Sequence, residues 1–266
     1  MTPNLLTIAG SDPSGGAGIQ ADLKTFSALG AYGMSVLTGL TSQNTRGVRS
    51  VHEVPAAFVR EQLDSIFDDV RVDAVKIGML ATANVIDVVA AVLSERRPPY
   101  VVLDPVMVAT SGDRLLAADA VAHLRDMLLP YVDLITPNLP EAADLLGAPE
   151  ARDEIGMRDQ LDALRRLASG VLLKGGHLGG AESPDLFAMS SSAEPSRLVA
   201  RRIGTTNDHG TGCTLSSAIA ALRPQRDSWL AAVTDAKAYL TRALAAADRL
   251  DVGRGHGPVH HFVDWW

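Results

Sequence analysis

The sequence is poor in cysteine, aromatic residues and long apolar runs, and each shortage excludes a class of protein. One cysteine, Cys213, stands among 266 residues, which rules out an intrachain disulfide and a zinc site built only from thiolates. A single unpaired thiol is typical of a reducing compartment. Aromatic residues make up 5% of the chain, and no apolar run approaches the roughly 18 residues of a membrane-spanning helix. The first six residues carry no basic side chain, so we expect no secretory signal and no membrane partner, and hence a soluble, cytoplasmic protein.

Positive charge is also in short supply. Lysine and arginine number 24 against 31 aspartate and glutamate residues, which gives a formal net charge of −7. A general nucleic-acid binder would need a cationic surface, so we expect no nucleic-acid partner, although a local cationic pocket stays open. The 47% hydrophobic content is enough for a core and excludes disorder as the main state. Because no linker or internal repeat interrupts the chain, we predict a single domain over residues 1–266.

Short apolar strands alternate with helical patterns along the chain. We predict strands at residues 5–9, 32–40, 74–77, 100–103, 134–135 and 171–173, and then a hairpin of strands at 185–189 and 198–203. We predict helices at residues 19–29, 56–70, 84–93, 117–128, 140–146, 157–167, 214–222 and 228–250. This alternation favours an α/β fold, a three-layer α/β/α sandwich with a mostly parallel central sheet. In such folds ligands bind beyond the carboxyl ends of the strands.

Glycine concentrates in two loops that lead into helices. The first, residues 16–21, reads Gly-Ala-Gly-Ile-Gln-Ala after the first strand and fits the dinucleotide-binding pattern. That pattern also needs an acidic residue about 20 positions later. None occurs between Asp22 and Glu53. A nicotinamide-dependent oxidoreductase is therefore a weakly supported alternative, beside a simple tight turn into a helix.

The second glycine-rich loop, residues 205–214, leads straight into an apolar helical pattern. Gly210 and Gly212 allow the backbone to curl so that consecutive N–H groups point at one anion, and the helix dipole adds positive potential. Such a nest can hold a phosphoryl group during its transfer. Cys213 lies at the helix start, where we expect a lowered thiol pKa, so it could act as a base or a nucleophile, or only pack under the loop. A Cys–His hydrolase that uses His209 is a rival hypothesis.

Polar side chains follow three of the predicted strands. Asp104 and Glu141 form a carboxylate pair that could hold Mg²⁺ through water molecules, and Lys174 could meet a nucleotide phosphate. Each residue also has a simpler interpretation, since Asn138 and Glu141 fit a helix-capping box and the others could be solvated charges. Their joint position at one edge of one sheet favours the functional interpretation.

The C-terminal segment, residues 253–261, combines three histidines with glycine and proline. A metal site could form there, but the composition favours a coil that follows the surface. The sequence assigns no function to this segment or to the serine-rich stretch at residues 190–196.

Seven segments, taken together and in order, resemble the hydroxymethylpyrimidine/phosphomethylpyrimidine kinases of thiamine biosynthesis. They are AGSDPSGGAGIQAD at residues 9–22, TGLTSQNT at 38–45, KIGML at 76–80, DPVM at 104–107, TPN at 136–138, KGGH at 174–177 and HGTGCT at 209–214. The resemblance implies a ribokinase-like fold and the transfer of the ATP γ-phosphoryl group to 4-amino-5-hydroxymethyl-2-methylpyrimidine. A second transfer would convert the monophosphate into the diphosphate. The resemblance also implies ATP and Mg²⁺ as cofactors and a homodimer.

The resemblance assigns roles to particular residues. It implies that Gln43 binds the pyrimidine edge, aided by Gly10, Asp22, Met79 and Val106. Asp104 and Glu141 would organise Mg²⁺. The nucleotide phosphates would meet Asn138, Lys174 and Thr211. Gly210, Gly212 and the Cys213 N–H would form an anion hole, with the Cys213 thiol where related sugar and pyridoxal kinases place an aspartate base.

Two further hypotheses compete with this one. A pyridoxal or pyridoxine kinase would also accept a flat heteroaromatic ring with a hydroxymethyl arm. A non-catalytic pyrimidine-binding protein would retain Gln43 but would not need the metal and phosphate residues, all of which are present here.

Overall fold

The structure is a computed structural model that describes residues 1–107 and 118–266. Within them, the strands are β1 Asn4–Ser11, β2 Tyr32–Asn44, β3 Gly47–Glu53, β4 Ala74–Ile77, β5 Val101–Leu103, β6 Leu134–Ile135, β7 Gly170–Lys174, β8 Glu182–Met189 and β9 Ser196–Arg201. The helices are α1 Gly18–Ala28, α2 Ala56–Phe67, α3 Ala83–Arg96, α4 Ala118–His123, α5 Leu139–Leu146, α6 Glu154–Leu164, α7 Thr211–Leu222 and α8 Trp229–Ala245. A π-helical turn, Leu124–Leu128, continues α4.

The described strands form one sheet in the order β3-β2-β1-β4-β5-β6-β7-β8-β9. Pairing is parallel from β2 through β7 and antiparallel only at the two sides, where β3 pairs with β2 and where β8 and β9 follow β7. The mostly parallel α/β sheet predicted from the alternation is therefore confirmed. A parallel sheet needs helices on both faces, because its crossover connections place them there.

Consecutive residues of the central strands face opposite helical layers. In β1, Leu6 and Ile8 pack in one core cluster with residues of α2 and α3, whereas Leu5 packs in the other with residues of α1, α7 and α8. In β7, Leu172 faces the second cluster while its neighbours face the first. All of these strand residues are fully buried. The two clusters, one on each face of the sheet, confirm the predicted three-layer sandwich.

Strand β3 is absent from the sequence prediction. Five of its seven residues are exposed, so it lacks the alternation of buried and exposed positions from which a strand is recognised. The last helix is shorter than predicted, since α8 ends at Ala245 and a 3₁₀ turn, Ala247–Arg249, follows it. The first residue of the helix predicted at 117–128 lies outside the described residues. None of the described helices has the length and apolarity that crossing a membrane requires.

Candidate active site

The carboxyl ends of the parallel strands open into a cavity of about 790 Å³. The predicted site residues that line it are Gly10, Gln43, Met79, Asp104, Val106, Asn138, Glu141, Lys174, Gly210, Thr211, Gly212 and Cys213. Of the predicted set, Asp22 alone is missing from the lining. The volume is in the range of small-molecule and cofactor sites.

The strand order divides the cavity into two ends. Residues of β1 and β2 and those after β4 lie towards one side of the sheet. Residues of β7, β8 and β9 lie towards the other, with Asp104 after β5 between them. Strand register shifts at the first end, between Ala9 and Ser11 in β1 and between Ser42 and Gln43 in β2. Such irregularities re-aim local backbone and side chains, and here they occur at two predicted substrate residues, Gly10 and Gln43.

A lysine lies between two carboxylates in the middle of the cavity. The Lys174 Nζ is 3.0 Å from Asp104 Oδ1 and 3.8 Å from Glu141 Oε2, and both acids are buried. Burial opposes ionisation of Asp104, yet the Lys174 and Lys76 ammonium groups hold its pKa below the ordinary value. Burial raises the pKa of Glu141 to about 7, although Lys174 opposes that shift. The site therefore concentrates titratable oxygen atoms and one cation around a single point.

The capping box predicted at the start of α5 is confirmed. The Asn138 N–H donates to Glu141 Oε2 at 2.7 Å, and the Glu141 N–H donates to Asn138 Oδ1 at 2.8 Å. Asn138 also forms an isolated backbone β-bridge with Lys174. The backbone N–H of Lys174 donates to the Pro137 carbonyl at 2.9 Å. The cap thus holds the Glu141 carboxylate beside the lysine, so the structural and the functional interpretations apply to the same residue.

Helix α7 begins at the glycine-rich loop and faces the same point. Its N-cap, Gly210, has a φ of +77°, and a Cβ there would lie 1.8 Å from the Gly16 carbonyl oxygen. Only glycine fits such a position. A Cβ on Gly212 would lie 3.3 Å from Lys174 Nζ and 3.4 Å from Asp104 Oδ2. The positive end of the helix dipole and the lysine therefore converge, as anion binding at a helix N-terminus requires.

Comparison with known proteins agrees with this geometry. Residues 12–260 match the family described as phosphomethylpyrimidine kinase. The chain belongs to this family. The hydroxymethylpyrimidine/phosphomethylpyrimidine kinase of Escherichia coli is 59% identical over 264 residues, which cover 99% of this chain and 98% of the relative. The enzyme of the same name from Rhizobium meliloti is 55% identical over 267 residues, 100% of this chain and 99% of the relative.

Solved structures show the same fold. The ADP complex of Bacillus subtilis pyridoxal kinase has a TM-score of 0.90 at 35% identity and covers 98% of both chains. Phosphomethylpyrimidine kinase from Clostridium difficile has a TM-score of 0.79 at 40% identity, over 91% of this chain and all of the other. The resemblance and the ribokinase-like fold predicted from the sequence are therefore confirmed, and pyridoxal kinase is a structural relative of this kinase.

The pKa of the Cys213 thiol differs from the value that the sequence predicts. Burial raises the pKa of Cys213 to about 11, although the Lys76 ammonium opposes the shift. The expected lowering of this pKa is wrong, because the loss of hydration on burial outweighs the Lys76 ammonium and the hydrogen bond with the Gly18 backbone. At neutral pH the thiol of the ligand-free kinase is protonated.

Asp22 is not brought to the cavity surface. Its carboxylate is fully buried and accepts hydrogen bonds from Lys76 Nζ at 2.9 Å, Thr7 Oγ1 at 2.6 Å and Ser217 Oγ at 2.6 Å. The carboxylate therefore lies behind the cavity wall, between β1 and α7, and its expected aid to Gln43 in substrate binding stays a prediction. Lys76, which sequence reasoning gave no role, lines the cavity instead. The available signal was a charged residue inside the apolar strand Ala-Val-Lys-Ile.

His209 contacts residues at the end of the cavity formed by β1 and β2. Its Nε2 lies 2.8 Å from Asp12 Oδ2 and 3.4 Å from Gln43 Nε2. The hydrolase hypothesis needs this imidazole on the thiol, so the geometry disfavours it. Asp12 also accepts the Gly16 and Ala17 N–H groups at 3.1 Å and 2.8 Å. Amides that a dinucleotide pyrophosphate would use are thus already bonded, which counts against the oxidoreductase.

Proposed function

We propose that this kinase transfers the γ-phosphoryl group of ATP to the hydroxymethyl group of 4-amino-5-hydroxymethyl-2-methylpyrimidine, and then phosphorylates the monophosphate to the diphosphate. The observation that carries the proposal is the convergence of the α7 N-terminus, Lys174 and two buried carboxylates midway along one cavity. Phosphoryl transfer depends mainly on positioning and on neutralising charge, and these groups supply both. The relatives at 55–59% identity carry the corresponding name.

The pyrimidine would occupy the end formed by β1, β2 and β4. The Gln43 amide both donates and accepts hydrogen bonds, which matches an aminopyrimidine edge. A Cβ on Gly10 would lie 2.4 Å from Met79 Cε, so glycine leaves space for the pyrimidine ring beside the Met79 thioether. Val106 lines the same cavity and would supply an apolar contact to the ring.

The nucleotide phosphates would lie between the two ends. Asn138, Lys174 and Thr211 line the cavity there and offer an amide, an ammonium and a hydroxyl group. The N–H groups at Gly210, Gly212 and Cys213 would bind the transferring phosphoryl oxygens. These donors are held in place before the substrates arrive, which is the condition for stabilising charge that develops in the transition state.

The carboxylates Asp104 and Glu141 suit Mg²⁺, which prefers oxygen ligands and retains several waters beside substrate phosphates. Both are buried at the point where Lys174 and the α7 N-terminus meet, and among the described residues the hydrogen bonds to the Asp104 carboxylate fall on Oδ1. When bound, the ion would neutralise phosphate charge. No described cluster offers three or more His, Cys, Asp or Glu ligands, so water and phosphate oxygens would complete the coordination.

The thiolate of Cys213 would accept the proton of the substrate hydroxyl group and become the thiol. A thiol with a pKa of about 11 must first lose its own proton, so only the thiolate fraction is competent for this step. The second phosphorylation has an ionised phosphate oxygen as nucleophile and needs no such base. The two steps should therefore respond differently to changes at Cys213.

The test is ADP release with Mg²⁺-ATP and, in turn, the hydroxymethylpyrimidine, its monophosphate and pyridoxal. Turnover of both pyrimidines is expected. Turnover of pyridoxal alone would assign the chain to vitamin B6 salvage and contradict the proposal. Pyrimidine binding by calorimetry without turnover of any substrate would make it a binding protein.

We also propose that the kinase acts as a homodimer in the cytoplasm. The family resemblance supports the dimer, and the free thiol of Cys213 supports a reducing compartment. Light scattering should give twice the 28.1 kDa chain mass, and a monomeric mass would contradict the dimer.

A further inference from the structure

The C-terminal segment 253–258, called here the glycine tail, is bonded to two loops of the site. At one end, the Arg254 and Gly255 N–H groups donate to Thr45 Oγ1 at 3.2 Å and 3.1 Å, and the His256 N–H donates to the Thr45 carbonyl at 2.8 Å. At the other end, the His209 N–H donates to the Gly257 carbonyl at 3.0 Å. The glycine tail thus joins the β2–β3 turn to the loop before α7.

The alternating glycines of the tail are explained by close contact. A Cβ on Gly253 would lie 2.3 Å from Thr45 Oγ1, and one on Gly255 would lie 2.1 Å from the Thr45 carbonyl oxygen. A Cβ on Gly257 would lie 2.1 Å from Asn207 Oδ1. Real Cβ atoms do not approach this closely, so the backbone of the tail can lie against Thr45 and Asn207 only without side chains. The alternating glycines therefore indicate close packing of the tail backbone and not a flexible linker.

Both anchor points adjoin residues that the proposed reaction uses. Thr45 is two positions after Gln43, and His209 directly precedes Gly210. The two sides of the site also meet directly, since Gln43 Nε2 lies 3.4 Å from His209 Nε2. The strand that follows Thr45, β3, is largely exposed at the edge of the sheet and pairs only with β2 among the described strands. The glycine tail supplies three hydrogen bonds to that turn through one residue.

We propose that Thr45 is a positioning residue for the pyrimidine substrate, and that the glycine tail acting through it sets the separation between Gln43 and the anion hole. This inference rests on the proposed function, since it concerns how the ring-binding amide and the phosphoryl-binding loop are kept in register. Thr45 itself is buried and is not part of the cavity lining, so it acts through its neighbours. A misplacement of about 1 Å between reacting groups can cost about a hundredfold in rate.

The test replaces the Thr45 hydroxyl group while keeping the side-chain shape. Thr45→Val leaves the Arg254 and Gly255 N–H groups without their acceptor, and we expect kcat/KM for the hydroxymethylpyrimidine to fall about 10- to 100-fold. ADP affinity, measured by calorimetry, should stay within about twofold, because Thr45→Val leaves in place the bond from the His209 N–H to the Gly257 carbonyl that holds the tail to the loop before α7. Thr45→Ser retains the acceptor and should restore most of the activity. Thr234→Val, at an exposed position of helix α8, is the matched control and should behave as wild type.

The outcomes separate this inference from the proposed function. No pyrimidine turnover by the wild-type kinase would defeat the proposed function itself. An active wild type with an unchanged Thr45→Val variant, or a variant that loses ADP and pyrimidine binding equally, would overturn the positioning role. If Thr45→Val does not fold, hydrogen exchange on the wild type decides instead. Amides 254–256 should gain protection when the pyrimidine binds and not when ADP binds alone, and equal protection in both states would overturn the inference.

Discussion

Glu141 caps helix α5 through the Asn138 N–H and, with the same carboxylate, lies 3.8 Å from Lys174. Sequence reasoning treated these as competing interpretations of one residue. The structure shows that the cap is what aims the carboxylate, because a hydrogen-bonded side chain loses its rotational freedom. The two contributions can nevertheless be separated, since glutamine also forms capping boxes but carries no charge.

Glu141→Gln should therefore weaken metal use and spare the fold. If the carboxylate helps to hold Mg²⁺ through water, the Mg²⁺ concentration for half-maximal activity should rise about 10- to 100-fold. The melting temperature should stay near that of the wild type, because the cap is retained. Titration of activity with Mg²⁺ and thermal unfolding of both proteins check this. An unchanged Mg²⁺ requirement would show that Glu141 acts only as a helix cap.

Cys213 gives the second prediction at this scale, through its pKa of about 11. The thiolate fraction rises about tenfold per pH unit below that pKa, so kcat for the free alcohol should climb with pH between about 7 and 9. Phosphorylation of the monophosphate should lack this rise. Cys213→Ala should lower kcat for the alcohol by about 10²-fold or more and abolish the slope.

A near-normal rate in Cys213→Ala would leave this residue only its backbone role. The thiol itself can be followed separately, because Cys213 is the single cysteine of the chain. Alkylation of the ligand-free kinase should accelerate as pH approaches about 11. A midpoint near the ordinary thiol value would contradict the burial effect.

At the scale of elements, the start of α7 depends on close contact between two glycine-rich loops. Gly210 combines a positive φ with a position where its Cβ would overlap the Gly16 carbonyl oxygen. Gly30 has the same φ of +77° but nothing within 4 Å of its Cβ position. The pair therefore separates the strain of a left-handed residue from the displacement of one loop by another.

Gly210→Ala and Gly30→Ala should both lose about 1–2 kcal/mol of stability from the backbone conformation. Only Gly210→Ala should also lose activity, by about 10²- to 10³-fold in kcat, because the N–H groups of the anion hole move. Denaturant unfolding and steady-state kinetics of the two variants check this. An active Gly210→Ala variant would show that the loop can shift without harm to transfer.

At the scale of the whole molecule, one sheet spans the described chain and both core clusters lie against it. The continuity supports the single domain predicted from the sequence, because a sheet shared by all layers has no boundary at which contacts are few. Trp229, which packs edge-on against Tyr100, places a fluorescent reporter on one helical layer.

Urea unfolding should therefore be one transition. Tryptophan fluorescence and far-ultraviolet circular dichroism should give coincident curves, as expected of a cooperative unit. ADP at about 100 times its Kd should raise the free energy of unfolding by about 2.7 kcal/mol, and by the same amount whichever of the two probes is used. Two separated transitions, or an ADP shift of only one probe, would show that the chain contains two independently unfolding parts.

The sequence by itself determined the α/β class and, apart from β3, the order of strands and helices, and twelve of the thirteen residues that it proposed for the site line the cavity. The class and the order depend on local periodicity. The site candidates come from glycine loops at helix starts, from polar residues at strand ends and, for the substrate end, from the family resemblance of short segments. Strand β3 escaped because its exposed residues carry no such periodicity.

Only the tertiary structure decided what depends on distant partners. Asp12 meets His209 across 197 positions, and Thr45 meets the glycine tail across 210. The Asp22 carboxylate binds Lys76 behind the cavity wall. Burial raises the pKa of Cys213, whereas the sequence predicted a lowered value. Burial and partner identity are set by the packing of remote segments, and a pKa or an ion pair follows from that packing rather than from neighbours in the chain.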